Sequence, residues 1–277
     1  MVTAEASNSD PSKQRPQNQN LRPAFRRKAD IPPAPRVEWE KWFRWFSREW
    51  KQDQHLSLIG PNGTGKSALA NKLLDIRTYK IWIMTKPADD KLEDALARKH
   101  YVKVPAFPKN PPEDVDRYLL WPAGSGGMTP EDHAKQRTII RDCFNKVFTG
   151  PPGGLPGRWC IVLDEARYVA DPSYLGLRSE VNQLLIQGRS LRISVVLGFQ
   201  RPSWVPPEAY DQASHLFIAN DNDKRNVQRF REIGGVDGEV VAATVQSLDL
   251  YEWAHVDARP GKGTVQVIKM PHGLDGR

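Results

Sequence analysis

The sequence predicts an α/β fold, a central and mostly parallel sheet flanked by helices, and three observations point there. Apolar runs of strand length alternate with helical patterns from about residue 53 onward. A glycine-rich loop joins one such run to a helix, and a later apolar run ends in two adjacent acids. At 277 residues the chain suits one sizeable α/β core with short appendages.

Residues 1–35 are rich in Pro, Asn, Gln, Ser and Arg and hold almost no large apolar side chains. Such a segment cannot bury enough surface to offset its ordering entropy, so a disordered basic arm is expected. Arg22, Arg26, Arg27 and Lys28 near its end read equally as a nucleic-acid contact or as a solvated tail. Residues 36–52 carry an aromatic amphipathic helix, since Trp39, Trp42, Phe43, Phe46 and Trp50 recur at helical spacing. Its aromatic face is expected on the core or on a neighbouring subunit. Glu38, Glu40 and Glu49 dilute the basic face that a membrane-surface helix needs. Residues 53–277 form the main domain.

The run at 56–59 reads as a buried strand and leads into Gly60, Pro61, Asn62, Gly63, Thr64, Gly65, Lys66 and Ser67. These residues fit the phosphate-cradling pattern G-x-x-x-x-G-K-[ST] at every fixed position, and good helix formers follow from Ala68. The glycines let backbone N–H groups turn inward around a polyphosphate, and the helix dipole adds positive potential. Lys66 is placed to reach the β- and γ-phosphates, and Ser67 to offer its hydroxyl to magnesium. ATP and Mg2+ are the ligands expected of residues Gly60 to Ala68.

Further along, residues 80–85 read as a strand and 89–98 as a helix, with short strand candidates at 101–104 and 118–121. Thr129, Pro130, Glu131 and Asp132 have the cap, proline and acids that open a helix. Gly-rich loops at 123–127 and 150–157 flank that helix and either line a pore or only connect elements. The apolar strand at 159–163 ends in Asp164 and Glu165. At the carboxyl end of a parallel strand, Asp164 is placed to hold magnesium and Glu165 to polarise the water that attacks a γ-phosphate. The strand at 193–199 ends in Gln200, whose amide can hydrogen-bond both the terminal phosphate and that water. Strands at 215–220 and 251–256, with helices at about 223–233 and 238–247, enlarge the sheet. His215 and His255 read as strand packing positions, because no Cys or acid stands at metal spacing.

A formal net charge of +7 suits a polyanionic partner, although nucleotide sites and solubility also draw basic residues. The two cysteines, Cys143 and Cys160, give a disulfide framework or a zinc site no support. No apolar stretch approaches the ~18 residues of a membrane span, and the N-terminus lacks a secretory apolar region. A cytoplasmic location is expected, in a bacterial host and also in association with a virion.

The loop at 60–67, the Ile-Val-Leu-Asp-Glu run ending at Glu165 and, above all, residues 187–206 resemble the FtsK/HerA superfamily of DNA-pumping ATPases. In that block a helix ends in Gly188-Arg189 and the next strand ends in Gln200-Arg201-Pro202, followed by Ser203-Trp204-Val205-Pro206. The resemblance covers roughly residues 50–258. It implies a RecA-like P-loop NTPase of the additional-strand, catalytic-glutamate type, with the Gln200 strand between the phosphate-loop and acidic strands. It also implies hexamers or other rings, and ATP hydrolysis that drives double-stranded DNA without sequence preference. Ring members complete each site with an arginine from a neighbour. Arg189 is the first candidate, and Arg201 and Arg178 are alternatives; Arg167, Tyr168, Lys224, Arg225 and Arg229 are weaker candidates for phosphate contact in a pore.

The barrel domain of HerA proteins and the membrane segments and winged helix of FtsK proteins are not seen in the sequence. What remains is similar to viral and phage genome-packaging ATPases. The alternatives are a conjugative or plasmid DNA-transfer ATPase and a Zot-like morphogenesis ATPase acting on protein. A portal, relaxase or nuclease is the corresponding partner. A small-molecule phosphotransferase fits less well, since Glu165 and Gln200 favour water as the acceptor.

Overall fold

Continuous apolar runs along the central strands place buried side chains on both faces of one sheet, and the computed structural model describes how residues 31–122, 125–150 and 158–271 build it. β1 (Arg36–Val37) and α1 (Trp39–Glu49) precede β2 (His55–Ile59). Then come α2 (Lys66–Leu73), β3 (Lys80–Ile83), α3 (Asp90–Arg98), β4 (Val102–Val104), β5 (Arg117–Leu120) and α4 (Pro130–Thr149). β6 (Cys160–Leu163), α5 (Ala166–Ala170), α6 (Arg178–Gln187), β7 (Ser194–Phe199) and α7 (Pro207–Asp211) follow. β8 (Ala213–Ala219), α8 (Lys224–Phe230), α9 (Gly238–Gln246), β9 (Glu252–Asp257) and β10 (Thr264–Lys269) complete the described chain.

Among the described residues the strands form one sheet in the order β1-β10-β9-β8-β2-β7-β6-β3-β5-β4. Only β8 with β9 and β9 with β10 pair antiparallel; the other neighbours are parallel. The expected insertion of the Gln200-bearing strand, β7, between the phosphate-loop strand β2 and the acidic strand β6 is observed. Because parallel strands run the same way, the carboxyl ends of β2, β7, β6 and β3 open on one edge. That edge carries the site.

Successive side chains on a strand point to opposite faces. Ile161 and Leu163 of β6 therefore face a layer holding α4 through α9, while Cys160 and Val162 face α1, α2 and α3. Both cysteines are buried, Cys143 under the first layer and Cys160 under the second. Helix α4 begins as its sequence dictates: the Thr129 side chain accepts from the Asp132 backbone N–H, Asp132 answers to the Thr129 N–H, and Pro130 fills the first turn.

The aromatic helix α1 packs on the core rather than standing free. Trp42 and Phe46 are buried, and Trp42 meets Phe217 of β8 and His255 of β9 edge-on. His215 and His255 do occupy strand packing positions beneath it. The compact unit starts at Pro32, where Ala34 is buried and donates its N–H to Thr244 Oγ1 at 2.9 Å. Residues 1–30 of the expected arm, with parts of both glycine-rich loops at 123–124 and 151–157, lie outside the described residues. Strands β1 and β10 were not expected; β1, at the edge, is only two residues long and gains its strand geometry from pairing with β10.

Candidate active site

The loop after β2 turns into α2 through Gly65, whose φ of 90° is left-handed and open to glycine at no steric cost. A Cβ there would also lie 2.9 Å from Met270 Cε. Lys66 therefore starts α2 with its side chain folded over the loop, where Nζ donates to Gly60 O at 2.7 Å and to Pro61 O at 3.0 Å. Thr64 Oγ1 donates to Pro61 O at 2.8 Å and closes the turn. Burial holds the Lys66 ammonium below its ordinary pKa, an effect opposed by Asp164 and Glu165 and reinforced by Lys86.

The two acids end β6 on the same edge. Ser67 Oγ donates to Asp164 Oδ1 and Oδ2 at 3.0 and 3.1 Å, so the helix hydroxyl and the strand carboxylate meet. Glu165 turns to β7, where Gln200 Nε2 donates to its Oε1 and Oε2 at 3.1 and 2.9 Å. Burial first, and then the neighbouring Asp164, raise the Glu165 pKa; the Gln200 hydrogen bond and the two lysines oppose that rise. The close approach of β7 to β6 depends on Gly198, because a Cβ there would sit 2.3 Å from the Asp164 carbonyl oxygen.

A pocket of about 520 Å³ is lined by the loop together with Asp164, Glu165 and Lys86, and Gln200 reaches it through its bonds to Glu165. Tyr251 and Met270 flank the loop side of the same pocket. Ser67 Oγ beside the Asp164 carboxylate is an all-oxygen donor pair, which fits a hard cation such as Mg2+ that keeps several waters and phosphate oxygens as its other ligands.

The structure thus brings together the expected Lys66, Ser67, Asp164, Glu165 and Gln200, with Asn62, Gly63, Gly65 and Ala68 along the pocket wall. It does not bring Arg189 to them. Arg189 lies exposed in a short 3-10 turn ahead of β7, on the edge opposite Gln200. Arg201 is exposed beside the site edge with its guanidinium 5.0 Å from the Trp204 ring, and Arg178 pairs with Glu208 at 3.3 Å. Four of the weaker pore candidates are engaged within the chain: Arg167 lies over Trp204 at 3.9 Å, Tyr168 packs on Tyr174, Arg225 pairs with Asp223 and Arg229 with Glu232; the Lys224 side chain lies outside what the structure describes.

Sequence reasoning missed Lys86. It stands past the end of β3, and its Nζ lies 3.0 Å from Asp164 Oδ2, 3.4 Å from Asp89 Oδ2 and 3.9 Å from Glu165 Oε1. Burial works against its charge, but Asp164 by charge and hydrogen bond, with Glu165 and Asp89, outweighs that and raises its pKa. The sequence shows only that Lys86 follows an apolar strand; the pairing of β3 with β6 that brings it to Asp164 is tertiary.

No family model matches the chain. The chain is 25% identical over 190 residues to the DNA packaging ATPase P9 of Enterobacteria phage PRD1, covering 67% of this chain and 72% of that protein. Among solved structures, B204, the DNA-packaging ATPase from Sulfolobus turreted icosahedral virus, superposes with a TM-score of 0.56 at 14% identity, covering 80% of this chain and 100% of that one. VirB4 of Thermoanaerobacter pseudethanolicus gives a TM-score of 0.59 at 10% identity over 79% of this chain and 89% of that one. The fold is that of an α/β RecA-like P-loop NTPase, and the chain is a P-loop protein similar to the packaging ATPases.

Proposed function

We propose that the chain is an ATP-hydrolysing motor that moves double-stranded DNA, with packaging of a viral or phage genome as its role. The observation that carries the ATPase part is the convergence of Lys66, Ser67, Asp164 and Glu165 on one pocket, with Gln200 holding the Glu165 carboxylate from outside it. The DNA part rests on the likeness to P9, a DNA packaging ATPase.

Hydrolysis follows from the positions of these side chains. Lys66, at the start of α2, is placed to release the loop carbonyls and take oxygens of the β- and γ-phosphates. Ser67 and Asp164 would hold Mg2+, which would supply charge neutralisation at the phosphates. Glu165 takes a proton from the attacking water as its oxygen bonds to the γ-phosphorus; the bond from that phosphorus to the β–γ bridging oxygen breaks. ADP leaves with the bridging oxygen, and orthophosphate carries the oxygen from water. Gln200 holds the Glu165 carboxylate by both oxygens and so fixes the direction in which the base points. Positioning and electrostatics dominate phosphoryl transfer, and the arrangement supplies both.

A ring of copies, with an arginine from one protomer at the site of the next, completes the proposal. Arg201 stands on the site edge and Arg189 on the opposite edge, so the two give different ring orientations. No described helix is long and apolar enough to cross a membrane. We place the motor in the host cytoplasm or with the virion.

The test is Glu165→Gln. It keeps one of the two hydrogen bonds from Gln200 and the volume of the side chain, so nucleotide binding should persist while hydrolysis falls by about 10²–10³-fold. Unchanged turnover would show that the base lies elsewhere.

A further inference from the structure

Two lysines outside the phosphate loop, Lys86 and Lys91, line the pocket, and Lys86 pairs with Asp164 and approaches Glu165. Its backbone is held twice. Trp121 Nε1 donates to Lys86 O at 3.0 Å, and Pro87 restricts the residue before it to extended geometry. Its ammonium is held from two sides, by Asp89 at 3.4 Å and by Asp164 at 3.0 Å. Asp89 is itself fixed, since its side chain caps α3 by accepting from the Leu92 N–H at 3.2 Å. A lysine needed only for surface charge has no reason to be this restrained.

The ammonium nevertheless stays open to the pocket, with the side chain 32% exposed. It lies 3.9 Å from Glu165 Oε1, an oxygen of the carboxylate that takes the proton of the attacking water. That water must touch both Glu165 and the terminal phosphorus, so the phosphoryl group stands one water away from Glu165 and beside Lys86. The diphosphate of ADP ends one phosphorus earlier. Lys66 folds over the phosphate loop and would meet a phosphate common to both nucleotides, whereas Lys86, 3.9 Å from Glu165 Oε1, would meet the third phosphate.

We propose that Lys86 is a second catalytic lysine, supplied by the end of β3 in the same chain, that binds the γ-phosphate oxygens and neutralises the charge they carry as the bond to the leaving oxygen breaks. This rests on the ATPase reading of the pocket. Asp89 then acts as a positioning residue, which orients Lys86 and reaches the reaction only through that side chain.

The test compares affinities for ATPγS and ADP, measured by calorimetric titration on the full chain, for wild type, Lys86→Ala and Lys86→Arg. Loss of one charge-assisted contact should weaken ATPγS about 10-fold in Lys86→Ala, leave ADP within about 2-fold, and lower ATP turnover by about 10–100-fold. Lys86→Arg should recover part of the ATPγS affinity. Equal losses for the two nucleotides would make Lys86 a structural partner of Asp164 and overturn the assignment, as would no loss for either. A wild-type protein that binds neither nucleotide would overturn the ATPase reading itself, and the assignment with it. Circular dichroism reports folding independently, and if Lys86→Ala does not fold, Lys86→Gln carries the same comparison of ATPγS with ADP.

Discussion

Gly198 shows how a single missing side chain sets the geometry of the site. It lies on β7 two residues before Gln200, and the Asp164 carbonyl occupies the space a Cβ would take, 2.3 Å away. Gly198→Ala must push β7 and the end of β6 apart, which loosens both the Gln200–Glu165 bonds and the Ser67–Asp164 contact. The expected cost is about 1–3 kcal/mol in stability, with a fall in ATP turnover larger than the fall in ATP affinity. Urea unfolding and steady-state kinetics would check it, and a variant with wild-type values on both would show that the strands do not need this approach. Individual residues also differ in how legible they were. Lys66, Ser67, Asp164 and Glu165 could be read because each sits in a short local pattern whose spacing carries its chemistry. Lys86 could not: it is one lysine among many, and only the register of β3 against β6 brings it to Asp164.

At the scale of elements, α1 is anchored on a buried polar chain that sequence periodicity does not reveal. Trp42 Nε1 donates to His255 Nδ1 at 3.1 Å, and His255 Nε2 lies 3.2 Å from His215 Nδ1. His255 must be neutral for its Nδ1 to accept. The same holds for His55 on β2, whose Nδ1 accepts from the Val195 N–H at 3.1 Å while Nε2 meets Leu185 O at 3.0 Å. Burial, above all, depresses all three: His55 to about 4, His215 to about 3, and His255 well below its usual value. A depressed folded pKa means that the unfolded chain takes up protons first. Stability is then full above the unfolded value of about 6.5 and falls as pH drops below it, by about 1.4 kcal/mol per pH unit for each histidine. Denaturant midpoints should decline from pH 7 to pH 5 along that slope. A flat profile over this window would show that the histidines are not buried neutral. The aromatic helix was thus legible as an amphipathic element, whereas its histidine partners on β8 and β9 depended on tertiary pairing.

At the scale of the molecule, the alternation of strands and helices and the position of β7 between β2 and β6 agree with the expectation from sequence. The edge was harder to foresee. β10 folds back on β9 and adds β1 beyond it, so the sheet ends in pairings set by strand register, which no local pattern specifies. The reacting groups stand together on the carboxyl edge of the sheet, in a fold shared with DNA-packaging ATPases. A motor of the proposed kind must couple ATP turnover to DNA. The most direct measurement is the ATPase rate of the purified chain with and without long double-stranded DNA across a range of salt. DNA should raise turnover, the rise should fade with salt because phosphate contacts are electrostatic, and Lys66→Ala should abolish it. Turnover indifferent to DNA at every salt concentration would contradict the proposed motor.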